Sequence, residues 1–214
     1  MLKTQQLPLV NLFLSLFLSV LIGNDDTQLW SGVSIEKKLS PSTSFEYEQE
    51  LRLKDQFSTF SQTFSEISFS YDIFDGLDIK IPYKFTVFED KIKQRLGIGI
   101  SYKHGFNALS IKYRAKYQQT FEKDDSSEKL FRNKLSFQYK INKNFESFIS
   151  AELFNQSRLG MNILIENRYA LGLNIKLLRK KSLKLFYIKK IEDLQKSISE
   201  ETNIIGLSYQ IKLS

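Results

Sequence analysis

Few side chains in this sequence could do chemistry, and they are of few kinds. There is one histidine, His104, and no cysteine, against 31 Lys and Arg and 24 Asp and Glu. A hydrolase or acyltransferase needs a base, usually histidine, beside a serine or an acid. His104 instead precedes Gly105 in a stretch that reads as a tight turn. The lack of cysteine excludes disulfides, thiolate metal sites and lipid attachment through an N-terminal cysteine. Glu122, Asp124, Asp125 and Glu128 form an acidic run, but their spacing matches no calcium loop and Lys123 and Lys129 interrupt it, so it reads as a solvated loop. No metal and no cofactor is expected.

What remains is charge at a spacing of two. Glu46, Glu48, Glu50 and Arg52 share one parity, as do Lys112, Arg114 and Lys116, Arg132 and Lys134, and Glu166 and Arg168. Residues two apart in a strand point to the same face. Both signs therefore face one way, and the expected chemistry is an ion-pair network inside a wall, with the glutamates facing Lys112, Arg114, Arg132 or Lys134. An unpaired member in such a wall is costly.

The elements that must carry these charges are strands. From Leu77 to Val87 the residues Leu77, Ile79, Ile81, Tyr83, Phe85 and Val87 take one parity, and Asp78, Lys80, Lys84 and Thr86 the other. Eleven such segments follow one another, starting near Thr27, Thr43, Gln62, Leu77, Gln94, Ala108, Leu130, Phe145, Ile163, Ser182 and Thr202. Most have the length a tilted strand needs to cross a membrane. Only Lys189–Glu201 could make a short helix. Short turns near 40–42, 74–76, 104–107, 142–144 and 180–181 alternate with longer connections near 54–59, 89–93, 120–128, 155–162 and 192–201. Transmembrane barrels have short periplasmic turns and longer outer loops.

Periodicity alone does not say which face is inside; a lipocalin-like soluble barrel would bury the oily one. The glycines decide the expectation: Gly32, Gly97, Gly99, Gly172 and Gly206 all share the charged parity. A curved sheet crowds its concave side, so glycines collect inside. Charges then line the lumen and the oily face meets lipid. Trp30, Tyr102, Tyr139, Tyr169 and Tyr209 are candidates for an interfacial aromatic belt, with burial inside the barrel as the other placement for such rings. The charge of +7 is spread along strands and turns with no basic helix, so nucleic acid is not an expected partner. Residues 1–23 read as a secretory signal peptide, with Lys3 as its only charge and an apolar run from Leu12 to Ile22 too short to span as a helix. Residues 24–214 then form one domain: an all-β, antiparallel up-and-down transmembrane barrel of ten to twelve strands. An even count is the rule for single-chain barrels, which argues for ten or twelve; eleven would set the first and last strands parallel.

The segments DTQLWSGVSIEKKLS and SFEYEQELRLKD, with LFRNKLSFQYKINKNFESFISAELF and NRYALGLNIKL later, resemble a family of bacterial outer-membrane barrels catalogued as a domain of unknown function, DUF2490. The resemblance implies fold and outer-membrane location, with lipid as the surrounding partner, and lends no catalytic residue. Three functions follow as expectations. The leading one is a structural or narrowly pore-forming barrel without enzymatic activity. The others are a lipid-modifying enzyme using His104, and a surface protein presenting the loops 120–128 and 192–201.

Overall fold

The computed structural model describes residues 27–122, 127–158 and 161–213. The expected signal peptide and Asp124 and Asp125 lie outside the described residues. Eleven strands form one closed barrel: β1 (Thr27–Lys38), β2 (Thr43–Lys54), β3 (Thr59–Phe74), β4 (Leu77–Phe88), β5 (Ile92–Phe106), β6 (Leu109–Glu122), β7 (Glu128–Lys140), β8 (Phe145–Arg158), β9 (Met161–Leu178), β10 (Lys181–Glu192) and β11 (Glu200–Leu213). Each strand pairs antiparallel with its chain neighbours, so the barrel is a run of hairpins. It closes where β1 meets β11 in parallel, from Thr27 opposite Asn203 to Lys37 opposite Leu213. The count lies within the expected ten to twelve, and the preference for an even number fails. Each hairpin reverses the chain, so an eleventh strand runs as the first does and its seam with β1 must be parallel.

The oily face is outside. Ile81 is 48 % exposed, Ile98 51 % and Ile149 59 %, while Ser68, Gln118 and Glu152 on the opposite parity are buried. A greasy exterior over a polar interior is the reverse of a soluble barrel and the arrangement of a membrane one.

The connections are tighter than the sequence implies. Strands β8 and β9 run to Arg158 and from Met161, taking up most of the expected loop at 155–162. The short helix expected over 189–201 is also not formed: β10 continues to Glu192, and Asp193 starts a turn with a left-handed backbone, φ 55°. At the opposite rim Gly76 turns β3 into β4 at φ 81°, where a Cβ would lie 2.2 Å from the carbonyl oxygen of Lys103. Glycine is required there.

Candidate functional site: a cation and aromatic septum across the lumen

Cross-strand pairing puts a positive charge opposite a ring. Trp30 on β1 lies opposite Arg52 on β2, and Arg132 on β7 lies opposite Phe154 on β8, all facing inward. The Arg52 guanidinium sits 3.5 Å from the centre of the Trp30 ring and 5.3 Å from Phe64. The Lys84 ammonium lies 3.4 Å from the Phe64 ring. On the far wall the Arg132 and Arg168 guanidiniums lie 4.3 and 4.5 Å from the Phe154 ring, and Arg168 reaches back to Trp30 at 5.5 Å. Lys84, Phe64, Arg52, Trp30, Arg168, Phe154 and Arg132 thus form one chain of contacts through seven strands. Each such contact contributes about 0.5–2 kcal/mol, toward the upper end when water is excluded.

Every cation in this chain also holds a carboxylate. Arg52 pairs with Glu50 at 2.6 Å, Lys84 with Glu66 at 3.2 Å, and Arg168 with Glu166. Arg132 pairs with Glu152 at 2.8 Å, and the same carboxylate takes Arg114 at 2.7 Å and Lys134 at 4.0 Å. A ring on one side and an acid on the other leave each head group little freedom. Two cavities lie on either side of these contacts. One lies toward the β2–β3, β4–β5, β6–β7 and β10–β11 connections and has about 330 Å³; the other, toward the opposite rim, has about 240 Å³. Arg52, Phe64, Lys84, Arg132 and Arg168 line both.

The fold finds its likeness among known proteins. A family model described as a protein of unknown function, DUF2490, matches residues 27–200. The chain belongs to the DUF2490 family. A search of the curated proteins finds no match. Among solved structures, a NanC porin superposes with a TM-score of 0.56 at 13 % identity, over 87 % of this chain and 99 % of that one. A bacterial polysaccharide outer membrane secretin gives 0.51 at 7 % identity, over 72 % of this chain. The DUF2490 chain spans 60 % of that secretin's length. At these identities the likeness is one of fold, that of the outer-membrane barrels.

The charged residues singled out in the DUF2490 sequence all lie on lumen-facing parity, but their partners differ from those expected. Glu46 binds Lys80 at 2.5 Å, Glu50 binds Arg52 on its own strand, and Lys112 lies 3.8 Å from Asp78. The expected pairing of the β2 glutamates with Lys112, Arg114, Arg132 or Lys134 is not formed, because β2 is separated from β6 and β7 by three or more strands and nearer partners intervene. Glu48 and Lys116 face the lumen without an ion pair among the described residues. Lys80 and Lys84 carry only a face from the sequence, the polar parity of β4, and Glu66 and Glu152 carry no expectation; their lumen parity is the available signal. Trp30 is 5 % exposed inside the barrel, so it belongs to no interfacial belt, whereas Tyr102, Tyr139 and Tyr169 are exposed on the outer wall. His104 is on β5, not in a turn, and points outward between Tyr102 and Phe106, its ring centre 4.4 Å from that of Phe106. The acidic loop contributes Glu122, held by Lys91 at 3.2 Å and Lys93 at 2.7 Å.

Proposed function

We propose that this DUF2490 protein is an integral outer-membrane barrel whose lumen is closed at rest by the cation and aromatic septum, making it a structural barrel without steady conductance and without catalytic chemistry. The carrying observation is that two cavities, one toward each rim, share Arg52, Phe64, Lys84, Arg132 and Arg168 as their common wall. An exterior of exposed Ile, Leu, Phe and Tyr supports placement in lipid. Head groups fixed between a ring and an acid support closure, because moving one breaks both contacts at once. His104 on the lipid-facing wall, away from the lumen acids, supports the absence of a hydrolytic centre. The test is reconstitution in planar bilayers. Wild-type protein is expected to give no steady current, while Arg52→Ala with Arg168→Ala, which removes the link between Trp30 and both neighbouring rings, opens a measurable channel. A stable open conductance in the wild type would overturn closure and leave a narrow passive pore.

A further inference from the structure

The cavity toward the β2–β3, β4–β5, β6–β7 and β10–β11 connections is built differently from a simple gap between ion pairs. Its wall carries six cations (Arg52, Lys84, Lys93, Arg95, Arg132, Arg168) and three carboxylates (Glu128, Glu166, Glu192). Five of those cations are already held: Arg52 by Glu50, Lys84 by Glu66, Lys93 by Glu122, Arg132 by Glu152 and Arg168 by Glu166. Arg95 is the exception. Its Nε donates to Thr120 Oγ1 at 2.9 Å, and it has no ion pair among the described residues. Of the carboxylates, Glu166 is used by Arg168 and Glu192 by Lys190, while Glu128 accepts from Gln156 Nε2 at 2.9 Å and its charge acts on Arg95 across the cavity without a direct ion pair.

A second observation concerns Gln118, which is 1 % exposed and also lines this cavity. Its Oε1 accepts from Arg132 at 3.2 Å, and that contact fixes the amide. Its Nε2 is buried with no acceptor. A buried amide donor left unmade is unfavourable, and buried polar groups are almost always satisfied. Arg95 and Gln118 stand on adjacent strands, β5 and β6, and Gln118 is two residues from the Thr120 that steadies Arg95. The cavity wall therefore holds a guanidinium without a direct ion pair and, packed within it, an amide donor without an acceptor. Gln62 and Thr86 add further polar groups, and Phe64, Phe88, Leu130, Phe154 and Ile165 supply the apolar part of the wall.

We propose that this cavity is a binding site for a small organic carboxylate, its oxygens taken by Arg95 and Gln118 Nε2 and its apolar body resting against Phe88, Leu130 and Ile165. Oxygen acceptors alone would suit phosphate as well; the Phe88, Leu130 and Ile165 side chains among the polar groups of the wall favour an organic body. The site stands whether the septum beneath it is closed or open, so its test is separate from the conductance experiment. That test is calorimetric titration of the refolded barrel in detergent with sodium benzoate, with benzamide as neutral isostere and inorganic phosphate as bare oxyanion. Benzoate is expected to bind saturably, with benzamide and phosphate at least ten-fold weaker. Arg95→Gln and Gln118→Leu each lose about ten-fold for benzoate, and Arg95→Lys recovers part of the loss. Heat-modifiable gel mobility checks that each variant is a closed barrel. Absence of saturable benzoate binding, equal binding of benzamide or phosphate, or undiminished affinity in a folded Arg95→Gln barrel would overturn the proposal.

Discussion

Among the described residues Glu152 is the carboxylate with the most ion-pair partners, and replacing it with glutamine should reveal how much the septum depends on paired charge. Its side chain is 6 % exposed and serves Arg132 at 2.8 Å, Arg114 at 2.7 Å and Lys134 at 4.0 Å. At an effective dielectric of about 20, one such pair is worth about 4 kcal/mol of Coulomb energy. Desolvation of the carboxylate offsets much of that in the wild type, but Glu152→Gln leaves the cations desolvated without their acid. Removing one member of a buried pair typically costs about 3–5 kcal/mol. Arg114 is about a third exposed and so contributes less, which leaves Arg132 as the main loss and places the expected cost near 3 kcal/mol. With a urea slope of about 2–3 kcal/mol per molar, the unfolding midpoint should fall by about 1–1.5 M. The assay is urea unfolding of the barrel in lipid vesicles, read by fluorescence of Trp30, which contacts Arg52 and Arg168 within the septum. Glu46→Gln is the internal comparison: its single pair with Lys80 is more exposed, 21 and 35 %, and should cost under about 1 kcal/mol. A Glu152→Gln midpoint equal to that of Glu46→Gln would refute the claim that Glu152 organises the wall.

Three further outcomes follow from the same geometry. Alanine at Gly172 should destabilise more than at Gly99, because a Cβ at Gly172 would lie 2.5 Å from the backbone oxygen of Leu185, whereas at Gly99 the nearest atom is 3.5 Å away; overpacking of this kind costs about 1–3 kcal/mol, and urea midpoints of the two variants give the ranking. Gly206→Ala should cost at least as much as Gly172→Ala, since the added Cβ would lie 1.9 Å from the Phe186 ring, which is buried in the cluster behind the seam. Trp30 fluorescence should resist quenching by brominated lipid chains, while a tryptophan placed by Tyr83→Trp in a Trp30→Phe background should be quenched strongly; the reverse order would mean the faces are inverted.

How much of this was legible follows from what a period of two encodes. Alternation marks strands and faces, so all eleven segments, the inward glycines and the inward Glu50, Arg52, Glu166 and Arg168 could be read directly. Pairs on one strand at i, i+2 and pairs directly opposite across a hairpin, such as Glu66 with Lys84, follow from register alone. Contacts around the circumference do not. The link from Arg168 on β9 to Trp30 on β1 depends on closure and on the stagger of the whole sheet, which no local pattern contains. From sequence Trp30 stands open between an interfacial belt and the barrel interior, and Phe64 and Phe154 carry no assignment, although Phe64 and Phe154 share parity with Glu66 and Glu152.

The aromatic residues on that charged parity also explain how an odd number of strands closes. Parallel pairing is slightly weaker per residue than antiparallel pairing, so the β1–β11 seam is the natural weak line of the barrel. Behind it, on the lumen side, sits the cluster of buried Trp30, Ile204, Phe186 and Phe148, with Ala170 and Ile188 against it. These residues come from β1, β11, β10, β8 and β9, so the cluster spans the seam and the strands on one side of it. Gly206 lies opposite Trp30 across the seam and opposite Phe186 on β10, and the Phe186 ring occupies the space a side chain at Gly206 would fill. Gly172 does the same for Phe148. The buried rings thus divide into two groups. Phe148 and Phe186 back the seam and hold a cation of their own, Lys184, at 4.6 and 5.4 Å; Phe64 and Phe154 hold the cations of the septum; Trp30 belongs to both. A barrel that closed antiparallel would have less need of the first group, and the second would then have no anchor on β1. Seam and septum meet at Trp30, which ties the closure of the wall to the closure of the lumen.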